Sequence, residues 1–220
     1  MPTIFTDRRG GFSLAPFDSF NLALHVGDEP TAVFKNRKSL TSALGPIQFM
    51  NQVHGDRFTF TQSISEIDPT CDALITDIPG LALAVLVADC IPLLLSSATV
   101  VAAVHVGRKG LINSITQKVI QEMRELRADK IHAHIGPSIC GECYEVSPEI
   151  FEGVLRTHPL AATQTKNSTP ALDLCKALIG DLVSEGITYE AAPECTLESN
   201  HLFSYRRQKI TGRNAGVIWL

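Results

Sequence analysis

Between Leu81 and Gly110 the chain reads LALAVLVADC IPLLLSSATV VAAVHVGRKG, a nearly continuous apolar stretch cut twice by short polar steps. Leu81–Ala88, Pro92–Leu95 and Val100–Val104 are short, lack helical spacing and are rich in Val, Leu and Ile, so they predict buried strands. A two-residue turn at Ala98–Thr99 would pair Ser97 with Val100, and counting down that ladder sets Pro92 opposite His105. Cys90 then lies two residues further along the same face. Diagonal neighbours of this kind sit roughly 7–8 Å apart at Cα, within reach of a shared ion or of a proton passed from thiol to imidazole. A polar side chain at the end of a buried strand is costly unless satisfied. Cys90 or His105 alone reads as a core thiol or a strand cap; the pair, with Asp89 adjacent, points to chemistry.

The remaining pattern surrounds this unit. Thr3–Thr6 predicts an edge strand, and the Gly10–Gly11 pair a loop that lets backbone come close to a ligand. A helix opens at Asp28-Glu-Pro-Thr, carries Val33, Phe34, Leu40 and Leu44 on one buried stripe, and stops at Gly45–Pro46. Gln48–Val53 reads as a strand with His54–Gly55 at its end. Leu111–Leu126 places Ile112, Ile115, Val119, Met123 and Leu126 at helical spacing, and Lys130–Ile135 alternates as a strand. Ser147-Pro148-Glu149 starts a helix that buries Phe151, Val154 and Leu155, and Ala171–Ser184, closed by Gly186, is another amphipathic helix. Irregular alternation around a hairpin, without repeat or linker, predicts an α+β fold: a single domain over residues 1–220 with a mixed sheet covered by helices.

Composition narrows the function classes. With 220 residues and 45% hydrophobic content, the chain can bury a sizeable core. A net charge of −4 leaves no electrostatic footprint for nucleic acid. The start MPTIFTDRRGGF has no apolar signal core, and no apolar run approaches the ~20 residues of a membrane span, so the expectation is a cytoplasmic protein with no membrane partner. Six cysteines in such a chain read as reduced thiols or metal ligands.

His54, Cys90 and His105 each end a predicted strand, and a His₂Cys set with a fourth position left to water or substrate is the pattern of catalytic zinc. The competing reading needs only two of them, Cys90 as thiolate and His105 as base in a hydrolase or amidase. Cys140-Gly-Glu-Cys143 is a single pair with neither a second pair nor a helix after it, and reads as a turn with two incidental thiols. His132 and His134 would share one strand face, at the surface. Arg206, Arg207, Lys209 and Arg213 gather with Tyr205 and Gly212 in a turn-rich stretch suited to an anion such as phosphate. No Walker-type loop or GxGxxG fingerprint accompanies them.

In order along the chain, FTDRRGGFS (5–13), NLALHVGDEP (21–30), NR (36–37), QVHGD (52–56), CDALIT (71–76), ADCIPLLL (88–95), AAVHVG (102–107), IGPSICGECYEV (135–146), LDL (172–174), CT (195–196), FSYRR (203–207) and TGR (211–213) resemble the laccase-domain family. Its members were first named multicopper polyphenol oxidoreductases and later described as zinc-dependent purine nucleoside phosphorylases. The resemblance implies a three-layer α/β/α fold with a central mixed sheet and zinc held at His54, Cys90 and His105. It also implies phosphorolysis of adenosine, inosine, guanosine and methylthioadenosine, with adenosine deamination besides. Purine nucleosides and inorganic phosphate are the implied partners. Asp89, Cys90 and His105 are the candidate catalytic group, with Asp89, adjacent to Cys90, read either as a proton carrier or orienter or as a cap on the strand end, and Arg8, Asn21, Arg37, Lys109, Arg206, Arg207 and Arg213 are the candidate substrate and phosphate contacts.

One departure stands out. Where the family reads HAGWRG, this chain has His105-Val-Gly-Arg-Lys-Gly110, so Arg108 replaces a tryptophan and Lys109 an arginine. An indole wall is lost, and lysine does not reproduce the planar two-point grip of arginine on phosphate. A copper oxidase is disfavoured because multicopper sites need many histidines in repeated His-x-His pairs, and seven histidines with one such pair are present. A zinc-binding module without turnover is the other reading left open.

Overall fold

The computed structural model describes residues 1–192 and 194–220. The elements in chain order are β1 (Thr3–Phe5), α1 (Pro30–Leu44), β2 (Ile47–Gln48), β3 (Phe58–Phe60), β4 (Ala73–Thr76), β5 (Ala82–Val87), β6 (Ile91–Ser96) and β7 (Val101–Val106). There follow α2 (Arg108–Ile112), α3 (Ile115–Glu125), β8 (His132–Ile135), α4 (Pro148–Leu155), β9 (Ala162–Gln164), β10 (Pro170–Leu172), α5 (Leu174–Ser184), β11 (Thr188–Ala191) and β12 (Asn214–Ile218).

Every residue of β5, β6 and β7 is buried, as uninterrupted apolar runs require. The strands form a four-stranded sheet ordered β1-β12-β5-β2 and a six-stranded sheet ordered β11-β8-β6-β7-β4-β3, with β9 and β10 as a separate pair. Both large sheets mix parallel and antiparallel pairs. Side-chain alternation then stacks the layers. Ala82, Ala84 and Leu86 of β5 pack with Leu40 of α1 on one outer face. Leu83, Val85 and Val87 turn inward to meet Leu94, Val101 and Ala103 of the other sheet. Leu93, Leu95, Val104 and Val106 face outward against α2, α3, α4 and α5. The expected arrangement of helices on both faces of a mixed β layer holds, with that layer two sheets thick.

The hairpin between β6 and β7 has the expected register: Ser97 N–H donates to Val100 O at 2.9 Å, and Pro92 stands opposite His105. Elsewhere the elements differ from expectation. The strand foreseen over Gln48–Val53 ends at Gln48. Beyond it the Gln52 side chain takes over the ladder, donating to Leu86 O and accepting from Leu86 N–H, both at 2.8 Å. Phe34 is 57% exposed; Val33, Asn36 and Leu40 form the buried side of α1. Asn36 earns that place by bonding Ser13, Ser19, Asn21 and Phe12 in the N-terminal loop. The helix foreseen over Leu111–Leu126 is two, α2 and α3, broken where Ser114 adopts φ 60°. Ala171 and Leu172 pair with β9, so α5 starts only after its cap, Asp173. No helix among the described residues is long and apolar enough to cross a membrane.

Candidate metal centre and anion-lined cavity

The chain crosses from one sheet to the other between Val87 and Ile91, and the crossing carries Asp89 and Cys90. Because β6 and β4 both run antiparallel to β7, the start of β6, the start of β4 and the end of β7 lie together. That places Cys90, Asp72 and His105 at one end of the layer between the sheets. His54 reaches the same point from the loop after β2. The ligating atoms of His54, Cys90 and His105 all lie within 4.8 Å of one another, and the two imidazoles meet edge to face at 4.7 Å.

Asp72 organises this group, and it is the main residue that the sequence reading did not single out. It is wholly buried. Oδ1 accepts from His105 Nδ1 at 2.9 Å and from His54 N–H at 2.9 Å; Oδ2 accepts from Gly55 N–H at 2.7 Å and Val53 N–H at 3.3 Å. Holding the proton on Nδ1 leaves the Nε2 lone pair of His105 free to ligate. The same carboxylate holds His54 in a left-handed backbone, φ 58°, a conformation a non-glycine residue keeps only when its surroundings enforce it. Burial raises the Asp72 carboxyl, but the bond to His105 and the backbone donors outweigh it and hold the group below the usual carboxylate range. Burial likewise pushes the Cys90 thiol up, and the facing His105 and His54 overcome that to bring it to about 6. Burial lowers His105, while Cys90 and Asp72 raise it to about 9.

The donor set fits a metal of zinc type. Two imidazoles and a thiolate suit a borderline-soft ion, three protein ligands leave one position open, and the imidazole orienter is in place. Gly107 makes the room. A Cβ there would lie 3.2 Å from Cys90 Sγ and 3.5 Å from His54 Cδ2. His132 and His134, the one His-x-His pair, share a face of β8 away from this centre, bonded to Thr188 and Glu190.

The centre forms the floor of a cavity of about 770 Å³. Arg108, Lys109, Arg206, Lys209 and Arg213 line it, with Tyr144 and Tyr205 as flat walls. Arg206 lies 4.9 Å from the Tyr144 ring and Lys209 4.8 Å from that of Tyr205. Both replacements in the Arg108–Lys109 pair therefore put cations on the cavity. Asp89 lines it too, but its oxygens are engaged: Oδ1 accepts from Thr196 Oγ1 at 2.7 Å and Oδ2 from Arg206 N–H at 2.6 Å.

The other foreseen contacts lie elsewhere. Arg8 is bonded to Asp18, and Arg37 to Leu22 O and Asp68 over the Phe49 ring. Arg207 donates to the carbonyls of Thr196, Leu197, Ser199 and Leu202. Asn21 accepts from Arg213 N–H at 3.0 Å and so acts on the cavity only through that neighbour. Each guanidinium is drawn to carbonyls that need a donor. Lys209 lines the cavity as its place in the basic stretch suggested, whereas Tyr144 is a cavity residue not foreseen as such; the aromatic in the CYEV turn was the one available signal.

A sequence profile described as multi-copper polyphenol oxidoreductase laccase matches residues 2–220. A Streptomyces griseus protein named purine nucleoside phosphorylase is 43% identical over 228 residues, covering 98% of this chain and 93% of its own. A Corynebacterium glutamicum protein of the same name is 42% identical over 229 residues, covering 99% and 93%. Among solved structures, the Neisseria meningitidis protein NMB0706, titled as belonging to DUF152, superposes with a TM-score of 0.91 at 33% identity, covering 99% of this chain and 93% of that one.

Proposed function

The chain belongs to the multi-copper polyphenol oxidoreductase laccase family, and from that premise we propose that it is a zinc-dependent purine nucleoside phosphorylase. One observation carries the reading: a thiol and two imidazoles poised for one ion share a cavity with five cationic side chains. The substrates are purine nucleosides, namely adenosine, inosine, guanosine and methylthioadenosine, together with inorganic phosphate.

Arg108, Lys109, Arg206, Lys209 and Arg213 gather the phosphate dianion and screen its charge as it nears the sugar. A phosphate oxygen forms the new bond to C1′ while the bond from C1′ to the purine nitrogen breaks. The electron pair of the broken bond goes to the purine, and the proton carried by hydrogen phosphate balances the one the leaving base takes up. Tyr144 and Tyr205 offer faces on which the base stacks. Asp72 keeps its proton partner at His105 Nδ1, and Asp89 ties the cationic rim to the start of β6. When bound, zinc supplies Lewis-acid polarisation and lowers the pKa of a water, the chemistry adenosine deamination requires.

A second reading has its own support: Asp72, His105 and Cys90 form an acid, imidazole and thiol series of the kind that activates a cysteine nucleophile. The enforced left-handed backbone of His54 favours the metal, because a triad has no use for a third ligand there. The experiment is incubation of zinc-loaded protein with inosine or adenosine, with and without phosphate, followed by chromatography. Phosphate-dependent release of hypoxanthine or adenine with ribose 1-phosphate is the expected result. Bound zinc with neither base release nor deamination overturns the reading, and hydrolysis that survives chelation but not thiol alkylation transfers it to the cysteine.

A further inference from the structure

In the segments that lead to Tyr144 and Thr196, the fold assembles a second group of soft donors. Cys140 and Cys143 bracket a single 3-10 turn, Gly141–Cys143. Cys195 arrives 55 residues beyond Cys140 and receives the Cys140 N–H at 3.3 Å on its Sγ. Glu198 follows on the next turn. The three Sγ atoms and a Glu198 carboxylate oxygen all lie within 4.8 Å of one another. All three thiols are free.

Both segments are held firmly. Thr196 N–H donates to Ser138 O at 3.1 Å, continuing the bridge between Ser138 and Cys195. The Arg207 guanidinium collects the carbonyls of Thr196, Leu197 and Ser199 at 2.7, 3.0 and 3.1 Å. Gly141 is pressed against β9 and the cap of α5, where a Cβ would meet Thr163 and Asp173 at 2.9 and 2.8 Å. Four donors from two pinned turns converge, then, and the bonds that join the turns do not require three thiols and a carboxylate at one point. Disulfide chemistry accounts for only part of it, since three thiols leave one unpaired and a carboxylate unused. The pair also lacks the following helix that a dithiol redox motif has.

We propose that Cys140, Cys143, Cys195 and Glu198 form a second, closed metal site that takes a thiophilic divalent cation of zinc type and fastens the cavity wall. Three thiolates and a carboxylate complete four-coordination, so no position is left for substrate, which makes the site structural. Zn–S bonds near 2.3 Å in a tetrahedron put sulfurs ~3.8 Å apart, a contraction that side-chain rotation supplies. Lys166 Nζ, 3.5 Å from Glu198 Oε1, offsets part of the excess negative charge. Cys143 precedes Tyr144, and Cys195 precedes Thr196, whose hydroxyl donates to Asp89. The clip therefore sits directly behind the aromatic and cationic wall.

The test is metal content and cobalt spectroscopy on the full chain. The unaltered protein, purified with zinc, is expected to hold two equivalents, and the double variant His54→Ala/His105→Ala one. Loaded with cobalt, that double variant shows the intense ultraviolet thiolate charge-transfer band of three sulfurs and the visible bands of a tetrahedral ion. Cys143→Ser lowers the unaltered protein from two equivalents to one. Because a cysteine change can prevent folding, Glu198→Gln, an exposed position, is measured alongside and shifts the visible cobalt bands of the double variant. A single equivalent in the unaltered protein, lost entirely with His54 and His105, overturns the proposal. So does a disulfide among the three cysteines in protein purified under reducing conditions.

Discussion

Replacing Asp72 by asparagine probes the centre without touching a ligand. The carboxylate accepts four hydrogen bonds, two on each oxygen. An amide keeps one oxygen, so whichever way it turns, two of the four donors face an NH₂ group. If the oxygen stays with His105 Nδ1 and His54 N–H, the amides of Val53 and Gly55 are stranded; if it turns, the imidazole and His54 are. A buried donor left unsatisfied costs ~1–3 kcal/mol, so the loss of fold stability is roughly 2–6 kcal/mol. Loss of the partner that orients a ligating imidazole lowers metal affinity ~10–100-fold. The assays are thermal melting of the metal-free protein and zinc competition against a chromophoric chelator. Both losses are expected together, because one carboxylate supports the backbone of His54 and the ring of His105. Unchanged melting with unchanged zinc affinity refutes the assignment, and a lower melting temperature with unchanged affinity reduces Asp72 to a loop anchor.

In the metal-free protein, Cys90 is expected to alkylate with a rate that rises through pH about 6 and levels off well below the ordinary thiol range; the thiolate is the form present above that value. Asp72→Asn weakens the charge on His105 and moves the midpoint upward, and zinc protects the thiol; an ordinary midpoint in the unaltered protein contradicts the geometry. Gly107→Ala adds a methyl 3.2 Å from Cys90 Sγ at an unstrained φ of −87°, so zinc affinity falls while melting of the metal-free protein holds; equilibrium dialysis reads the first and calorimetry the second. Lys109→Ala removes one exposed cation and raises the KM for phosphate roughly 2–5-fold, with a smaller effect at high salt. Arg207→Ala instead lowers stability by about 2–4 kcal/mol in denaturant titration and leaves the phosphate KM in place; a large rise in that KM with stability intact would make Arg207 a substrate contact.

Local rules made the centre half legible. A two-residue turn determines every pairing below it, so counting from Ala98–Thr99 sufficed to put Cys90 beside His105. Asp72 was hidden for the opposite reason: its role is set by three backbone amides of a loop whose path no periodicity records. Gln52 misled similarly, because a side-chain amide replaces a strand's hydrogen bonds without the alternation of a strand. The arginines show that charge alone does not place a side chain in a cavity. Arg207, Arg37 and Arg206 resemble one another in sequence terms and all donate to carbonyls within the fold, yet of the three only Arg206 does so from the cavity lining. The strand-end pattern already offered His54 beside Cys90 and His105, and the resemblance to a family added weight to that three-residue set over the thiol–imidazole pair. Cys195 became a partner of Cys140 only through a crossing of distant segments.

In the four-stranded sheet, β5 lies between β2 and β12, and β12 is the last of these strands to be synthesised. Until it emerges, β5 presents an open hydrogen-bonding edge, and the floor-forming end at Val87 lacks its neighbour Asn214. A nascent chain truncated anywhere in the long stretch between the two strands is therefore sticky. During synthesis this edge closes only when Asn214–Ile218 emerges, and ribosome-stalled chains halted before and after that strand are expected to differ in aggregation.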